Sequence, residues 1–215
     1  YIPYEGRPES GPALEPVDFS HTGPQVTPLK RPIYMDCHAT TPVDQRVLAA
    51  MLPFYREHFG NASSRSHSFG WVAEEAVESA RQQVGGLLGA QAREIVFTAG
   101  ATESIQIGLL GCARARRTEG RHIVTTNIEH KAVLQTLQEL GKEGFAVTAV
   151  RVAKDGLVSV QDVRQALRPE TILLAVMAAN NEIGTLQPVH ELGKLARDND
   201  TTFFVDAAQA VGKIP

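Results

Sequence analysis

The chain has 215 residues, 43% hydrophobic and 21% charged, with a net charge of -3. That balance suits one globular domain of ordinary composition, and the negative sign argues against a nucleic-acid surface. No apolar run reaches the roughly 18 residues that a membrane-crossing helix needs. Cys37 and Cys112 form neither a disulfide framework nor a metal spacing, so a reducing compartment is the default. The chain starts at Tyr1 and its first methionine is Met35. The expectation is a processed protein or a piece of a longer one.

Residues 1 to 31 are rich in Pro and Gly (Pro3, Pro8, Gly11, Pro12, Gly23, Pro24) and keep no periodicity. They read as an extended arm rather than a folded unit. Ile33 to Asp36 reads as a short strand, and Val43 to Phe54 as a helix with Pro42 near its start. Gly60 to Phe69 is a polar loop. Trp71 to Leu88 is an amphipathic helix, with Val72, Ala76, Ala80 and Val84 at steps of four.

From Glu94 onward, apolar β-type runs alternate with helical ones. Strands are expected at Ile95 to Thr98, His122 to Thr126, Phe145 to Val152, Ile172 to Met177 and Thr202 to Val205. Helices are expected at Thr102 to Arg114, Lys131 to Lys142, Val160 to Leu167 (opened by Ser159 with Asp162) and Val189 to Arg197. This alternation means an α/β fold, a mainly parallel sheet with helices on both faces.

Parallel strands deliver their carboxyl ends to one edge, where open α/β sheets bind ligands. Four expected strand ends carry polar residues: Gly100 to Ser104, Glu129-His130, Asn180-Asn181 and Asp206, with Gln209 three residues beyond. The Gly100 turn opens a helix. It serves either as a phosphate cradle, with Thr102 adding a hydroxyl, or as an ordinary N-cap. It is neither a GxGxxG nor a Walker A loop, which disfavours dinucleotides and nucleoside triphosphates. The seven histidines are scattered, so no zinc site is expected. Asp206 alone reads as a cap or an ion-pair partner. His130 alone reads as a satisfied histidine. Together, a phosphate on a helix N-terminus, an acid for a ring nitrogen, an imidazole over the ring and amides for a ring oxygen suit pyridoxal phosphate.

The motifs that carry a resemblance are Pro32-Ile33-Tyr34-Met35-Asp36, Ala39-Thr40-Thr41-Pro42-Val43-Asp44, Ser64-Arg65-Ser66-His67 and Gly100-Ala101-Thr102-Glu103-Ser104. They continue through Glu129-His130-Lys131-Ala132-Val133-Leu134, Asn180-Asn181-Glu182-Ile183-Gly184 and Val205-Asp206-Ala207-Ala208-Gln209. Residues 32 to 215 resemble the N-terminal part of a cysteine desulfurase of the NifS/IscS type, within the class V aminotransferases. The resemblance implies an incomplete large domain of a fold-type I enzyme, a homodimer binding pyridoxal phosphate. It implies that Ala101 and Thr102 hold the phosphate, His130 stacks on the ring and moves protons, Asn181 and Gln209 contact the phenolic oxygen, and Asp206 pairs with the ring nitrogen.

The implied reaction turns L-cysteine into L-alanine and passes persulfide sulfur to scaffold proteins for iron-sulfur cluster assembly. The implied compartment is the mitochondrial matrix, otherwise the cytoplasm. Ala62, Ile105, Gln106, Ala178 and Ala179 depart from the family pattern around the site. None of Lys131, Lys213, Cys37 and Cys112 matches the lysine that holds the cofactor's aldehyde or the nucleophilic cysteine, both expected beyond Pro215. The expected partner is therefore a complementary C-terminal half or a second protomer, and this chain alone is expected to be inactive. The competing reading is a non-catalytic relative serving as a structural subunit. The strand ending at Val205 is expected to be central in the complete sheet and to leave a free edge here, a liability for a monomer.

Overall fold

Four parallel strands lie in the order β2-β1-β3-β4: β1 His122–Thr126, β2 Ala146–Val150, β3 Thr171–Met177 and β4 Thr202–Asp206. They belong to a computed structural model that describes residues 32–214. The arm expected at residues 1 to 31 lies outside the described residues. The sheet lies within the unit that begins at Asp36.

Two strands are buried along their whole length, β1 and the seven-residue β3. A strand covered on both faces needs a continuous apolar run, and Thr171–Met177 supplies one. Helices α3 Ala101–Ala115 and α4 Lys131–Lys142 cover one face, where Leu109, Val133, Leu137 and Leu140 pack on Ile123, Leu173 and Ala175. Helices α5 Val160–Ala166 and α6 Val189–Asp198 cover the other, where Val163, Leu192 and Leu195 meet Val124, Leu174 and Val176. Alternate residues of one strand thus feed opposite cores.

Local signals set the helix starts. The Ser159 hydroxyl accepts from the Asp162 N–H at 3.2 Å and opens α5. The Asp44 carboxylate accepts from the Arg46 N–H at 2.8 Å and opens α1 Gln45–Arg56, two residues later than the sequence suggests. His67 opens α2 Ser68–Leu88, which ends on Gly89 in a left-handed conformation (φ 66°). That is a glycine's usual place at a helix C-terminus.

Two expected strands are absent. Residues 33–36 form no strand, and Ile95 to Thr98 is extended but pairs with nothing among the described residues. A β-branched run supplies the propensity, but a strand exists only when a second segment offers a ladder. A 3₁₀ turn, Ala92–Glu94, precedes that segment. The expected Phe145 to Val152 strand shortens to Ala146–Val150. Strand β4 is an edge of the described sheet, so it presents the free edge expected from the sequence. The apolar stripe of α2 is also largely uncovered. Val72 is 42% exposed and Leu87 67%, while only Gly70, Ala73 and Gly85 are buried. Helix α1 has no buried residue. No described helix is long and apolar enough to cross a membrane.

Candidate functional site at the carboxyl edge of the sheet

Because all four strands run parallel, β1, β3 and β4 end at one edge. Past the end of β1 come Glu129 and His130, past β3 Asn180 and Asn181, and β4 ends on Asp206 itself. The register pairs Met177 with Asp206, and the Ala178 N–H donates to the Asp206 carbonyl at 2.8 Å. Helix α3 brings the fourth part. At its C-terminal end, Arg116 donates to the Thr202 hydroxyl at 3.1 Å, at the start of β4. Fifteen helical residues rise about 22 Å, and five strand residues about 17 Å. The other end of α3, Ala101 and Thr102, therefore lies toward the carboxyl edge.

The start of α3 is open. Gly100 makes no side-chain cap, and the first bond within the helix runs from the Ser104 N–H to the Gly100 carbonyl at 3.1 Å. The N–H groups of Ala101, Thr102 and Glu103 thus meet no acceptor among the described residues. Around them, the Glu103 carboxylate accepts from the Ala99 N–H at 2.6 Å, and Thr98 and Ser104 share a hydroxyl contact at 2.6 Å. Three unused donors at the positive end of a helix dipole suit an anion.

His130 is the N-cap of α4. Its Nδ1 accepts from the Ala132 N–H at 3.2 Å, which leaves Nε2 for other work. Ring tautomers follow from such bonds. His130 and Asn181 line one cavity of about 440 Å³ with Ile128, Glu129, Lys131, Asn180, Glu182 and Ile183. Ala101, Thr102, Asp206 and Gln209 stand at the same edge but do not line it. The Asp206 Oδ1 accepts from the Ala208 N–H at 3.1 Å. The amide of Gln209 is engaged at both ends. Its Nε2 donates to the His38 carbonyl at 2.9 Å, and its Oε1 accepts from the Lys213 ammonium at 2.8 Å.

Two residues that the sequence singles out only weakly hold this edge together. Glu129 is 6% exposed. Its Oε1 accepts from the Thr126 hydroxyl at 2.6 Å and the Met177 N–H at 3.1 Å. Burial raises its pKa to about 7. The Thr126 and Met177 bonds oppose that rise, and the charge of Asp206 adds to it. Asn180, also buried, donates to the Ile128 carbonyl at 3.1 Å and accepts from the Glu182 and Ile183 N–H groups at 2.8 and 3.0 Å. The sequence signals for either were a place at a strand end and membership of the motifs that carry the resemblance. Among the described residues no group of three or more His, Cys, Asp or Glu side chains is arranged to hold a metal ion.

Comparison with known proteins gives this edge a context. The family described as aminotransferase class-V matches residues 33–215. A cysteine desulfurase IscS of Anaeromyxobacter sp. (strain K) is 52% identical over 187 residues, covering 87% of this chain and 46% of that protein. The human cysteine desulfurase is 50% identical over 192 residues, 89% of this chain and 42% of its own length. Among solved structures, a NifS-like protein superposes with a TM-score of 0.81 at 43% identity, covering 85% of this chain and 50% of that one. DndA from Streptomyces lividans does so with a TM-score of 0.75 at 46% identity, covering 85% and 51%. The chain thus spans about half the length of the relatives it matches. Its parallel sheet and helices are their fold, and with the match over residues 33–215, the chain belongs to the class-V aminotransferase family.

Proposed function

We propose that residues 32 to 215 are the N-terminal portion of the large domain of a cysteine desulfurase, and that the carboxyl edge of the sheet binds pyridoxal phosphate. The observation that carries this reading is the convergence of four chemically distinct groups on one edge: the open N-terminus of α3, His130, Asn181 and Asp206. The donor set fits the cofactor. Free N–H groups at Ala101 and Thr102 suit its phosphate. A carboxylate at Asp206 suits its ring nitrogen. The Nε2 of His130, not used by the cap bond, suits proton transfer beside the ring. Gln209 reaches the phenolic oxygen, with Asn181, only by exchanging its bond to His38 or Lys213.

When bound, pyridoxal phosphate supplies an electron sink for bond cleavage at the amino acid's α-carbon. The protein's own part is to seat the phosphate, hold a negative charge against the ring nitrogen and present His130 to a transferred proton. In the complete protein the substrate is L-cysteine, the products are L-alanine and persulfide sulfur, and the acceptors are scaffold proteins of iron-sulfur assembly. A second protomer or the C-terminal part covers the free edge of β4 and the apolar faces of α1 and α2, where Met51, Phe54 and Trp71 are 40%, 43% and 55% exposed. The compartment in this reading is the mitochondrial matrix, otherwise the cytoplasm.

The test is a titration of the full chain with pyridoxal phosphate, followed by absorbance and beside Asp206→Ala. Saturable binding that weakens about tenfold or more in the variant, with unchanged circular dichroism, supports the reading. Absence of saturable binding by the wild type overturns cofactor binding by this chain. Desulfuration is then assayed as alanine formed from L-cysteine once the C-terminal part is supplied.

A further inference from the structure

The two oxygens of the Glu129 carboxyl are treated unequally. Oε1 accepts two hydrogen bonds, from the Thr126 hydroxyl and the Met177 N–H. Oε2 is buried and meets no partner among the described residues. An ionised carboxylate spreads its charge over both oxygens, and a buried charged oxygen without a donor is strongly penalised. A neutral carboxyl fits this pattern at lower cost: its carbonyl oxygen accepts both bonds, and an unpartnered hydroxyl is penalised less than an unpartnered charged oxygen. The charged and titratable groups around it come from three elements. Asp206 stands at the end of β4, His130 and Lys131 at the start of α4, and Glu182 in the loop after β3; from β1 there is only the Thr126 hydroxyl. The Nδ1 of His130 is committed to the Ala132 N–H, and Lys131 is exposed to solvent.

We propose that Glu129 is a positioning residue that acts as a neutral carboxyl clip. It ties the end of β1 to the end of β3, fixes the segments that carry His130 and Asn181, and leaves Asp206 as the anion available to a cofactor's ring nitrogen. The clip itself stands on the geometry of this chain; its consequence for the ring nitrogen rests on the pyridoxal phosphate reading. The elevated pKa of Glu129 agrees with the unequal bonding.

The experiment has two arms, both on the full chain. In the first, infrared spectra without cofactor follow the protonated-carboxyl stretch against pH in the wild type and Glu129→Gln. The expected result is a band present at pH 6, fading as pH rises through about 7, and missing in the glutamine variant. A band already lost at pH 5, or unchanged in the variant, overturns the clip. In the second arm, pyridoxal phosphate is titrated into Glu129→Gln and Glu129→Ala. Glutamine preserves the double acceptor without charge, so its dissociation constant is expected within about threefold of wild type. Alanine removes the clip and is expected to weaken binding about tenfold or more, the scale of one lost buried hydrogen-bonded contact. Equal loss in both variants, or no loss in alanine, overturns the proposal. If the wild type itself binds no pyridoxal phosphate, the cofactor reading fails and the infrared arm alone decides for or against the clip.

Discussion

The side-chain amide of Asn180 donates to the carbonyl of Ile128, 52 residues earlier, at 3.1 Å. The same nitrogen lies 3.2 Å from the Met177 sulfur, and the amide oxygen accepts from two consecutive N–H groups, Glu182 and Ile183. One buried side chain therefore shapes its own turn and joins it to the segment that leads into α4. His130 and Asn181 share a cavity because this stitch and the Glu129 clip hold their two loops together.

Asn180→Ala removes all of these bonds. Glu182 and Ile183 are exposed and find water, while the half-buried Ile128 carbonyl loses its donor. The expected loss is about 2 kcal/mol in urea unfolding, within the range for a buried polar network. Asn180→Asp keeps the acceptor and the turn but loses both donors and adds charge beside Glu129. Its loss is expected to grow with pH, whereas that of alanine is not.

His130 has two separable jobs. As N-cap of α4 it accepts from the Ala132 N–H at Nδ1, which leaves Nε2 for the proton transfer proposed above. Asparagine is among the best caps and carries no imidazole. His130→Asn is expected to melt within about 0.5 kcal/mol of wild type, and His130→Ala about 1 kcal/mol below it. Both variants are expected to change the absorbance of bound pyridoxal phosphate alike. A spectrum unchanged in both would remove His130 from the cofactor site.

Much of this arrangement was legible before any coordinates. Strand β1 and helix α4 fall on the residues that periodicity marks, His122–Thr126 and Lys131–Lys142. Apolar runs that end abruptly in a polar residue are local signals. What stayed hidden depends on two distant segments. The Ile95 to Thr98 run looks like a strand, yet Val96 is 70% exposed and pairs with nothing in the described sheet. The bond from Gln209 to the His38 carbonyl spans 171 residues and leaves no trace in spacing. In the sequence Glu129 is one polar residue past a strand end; only its burial between two strand ends makes it a brace.

Two buried groups give stability opposing slopes with pH. Glu129 has a raised pKa when folded, so the folded state holds the proton more tightly than the unfolded chain. Its stabilising effect is complete below the unfolded value of 4.5 and is lost as pH climbs through about 7. His122 is fully buried between the Thr171 and Thr148 hydroxyls, at 2.7 and 2.8 Å, and burial lowers its pKa. Its contribution is complete above the unfolded value of 6.5 and is lost as pH falls below it. Glu129→Gln removes the first slope. Relative to wild type, the variant is expected to gain about 3 kcal/mol between pH 4.5 and pH 8, from a shift of 4.5 to about 7. Its own stability is expected to rise with pH through the histidine window. Chemical denaturation at pH 5, 6.5 and 8 measures both effects.

Two glycines of α2 are expected to answer the same substitution with opposite signs. In an open helical position, Gly to Ala stabilises by up to about 1 kcal/mol. A Cβ on Gly86 meets nothing within 4 Å, so Gly86→Ala is expected to raise stability by about 0.5 to 1 kcal/mol. Gly70 is buried in the first turn, and a Cβ there would overlap the backbone carbonyl of Ser64. Backbone cannot swing aside as a side chain tip can. The 61–67 loop would have to lift, taking with it the His67 cap on the Gly70 N–H at 3.2 Å and the bond from the Trp71 indole to the Arg65 carbonyl at 2.8 Å. Overpacking of this kind costs about 1 to 3 kcal/mol and a lost cap about 1 more, which together exceed the propensity gain. Gly70→Ala is therefore expected to lose about 2 kcal/mol in thermal unfolding, and equal gains at both positions would show that the loop does not rest on α2.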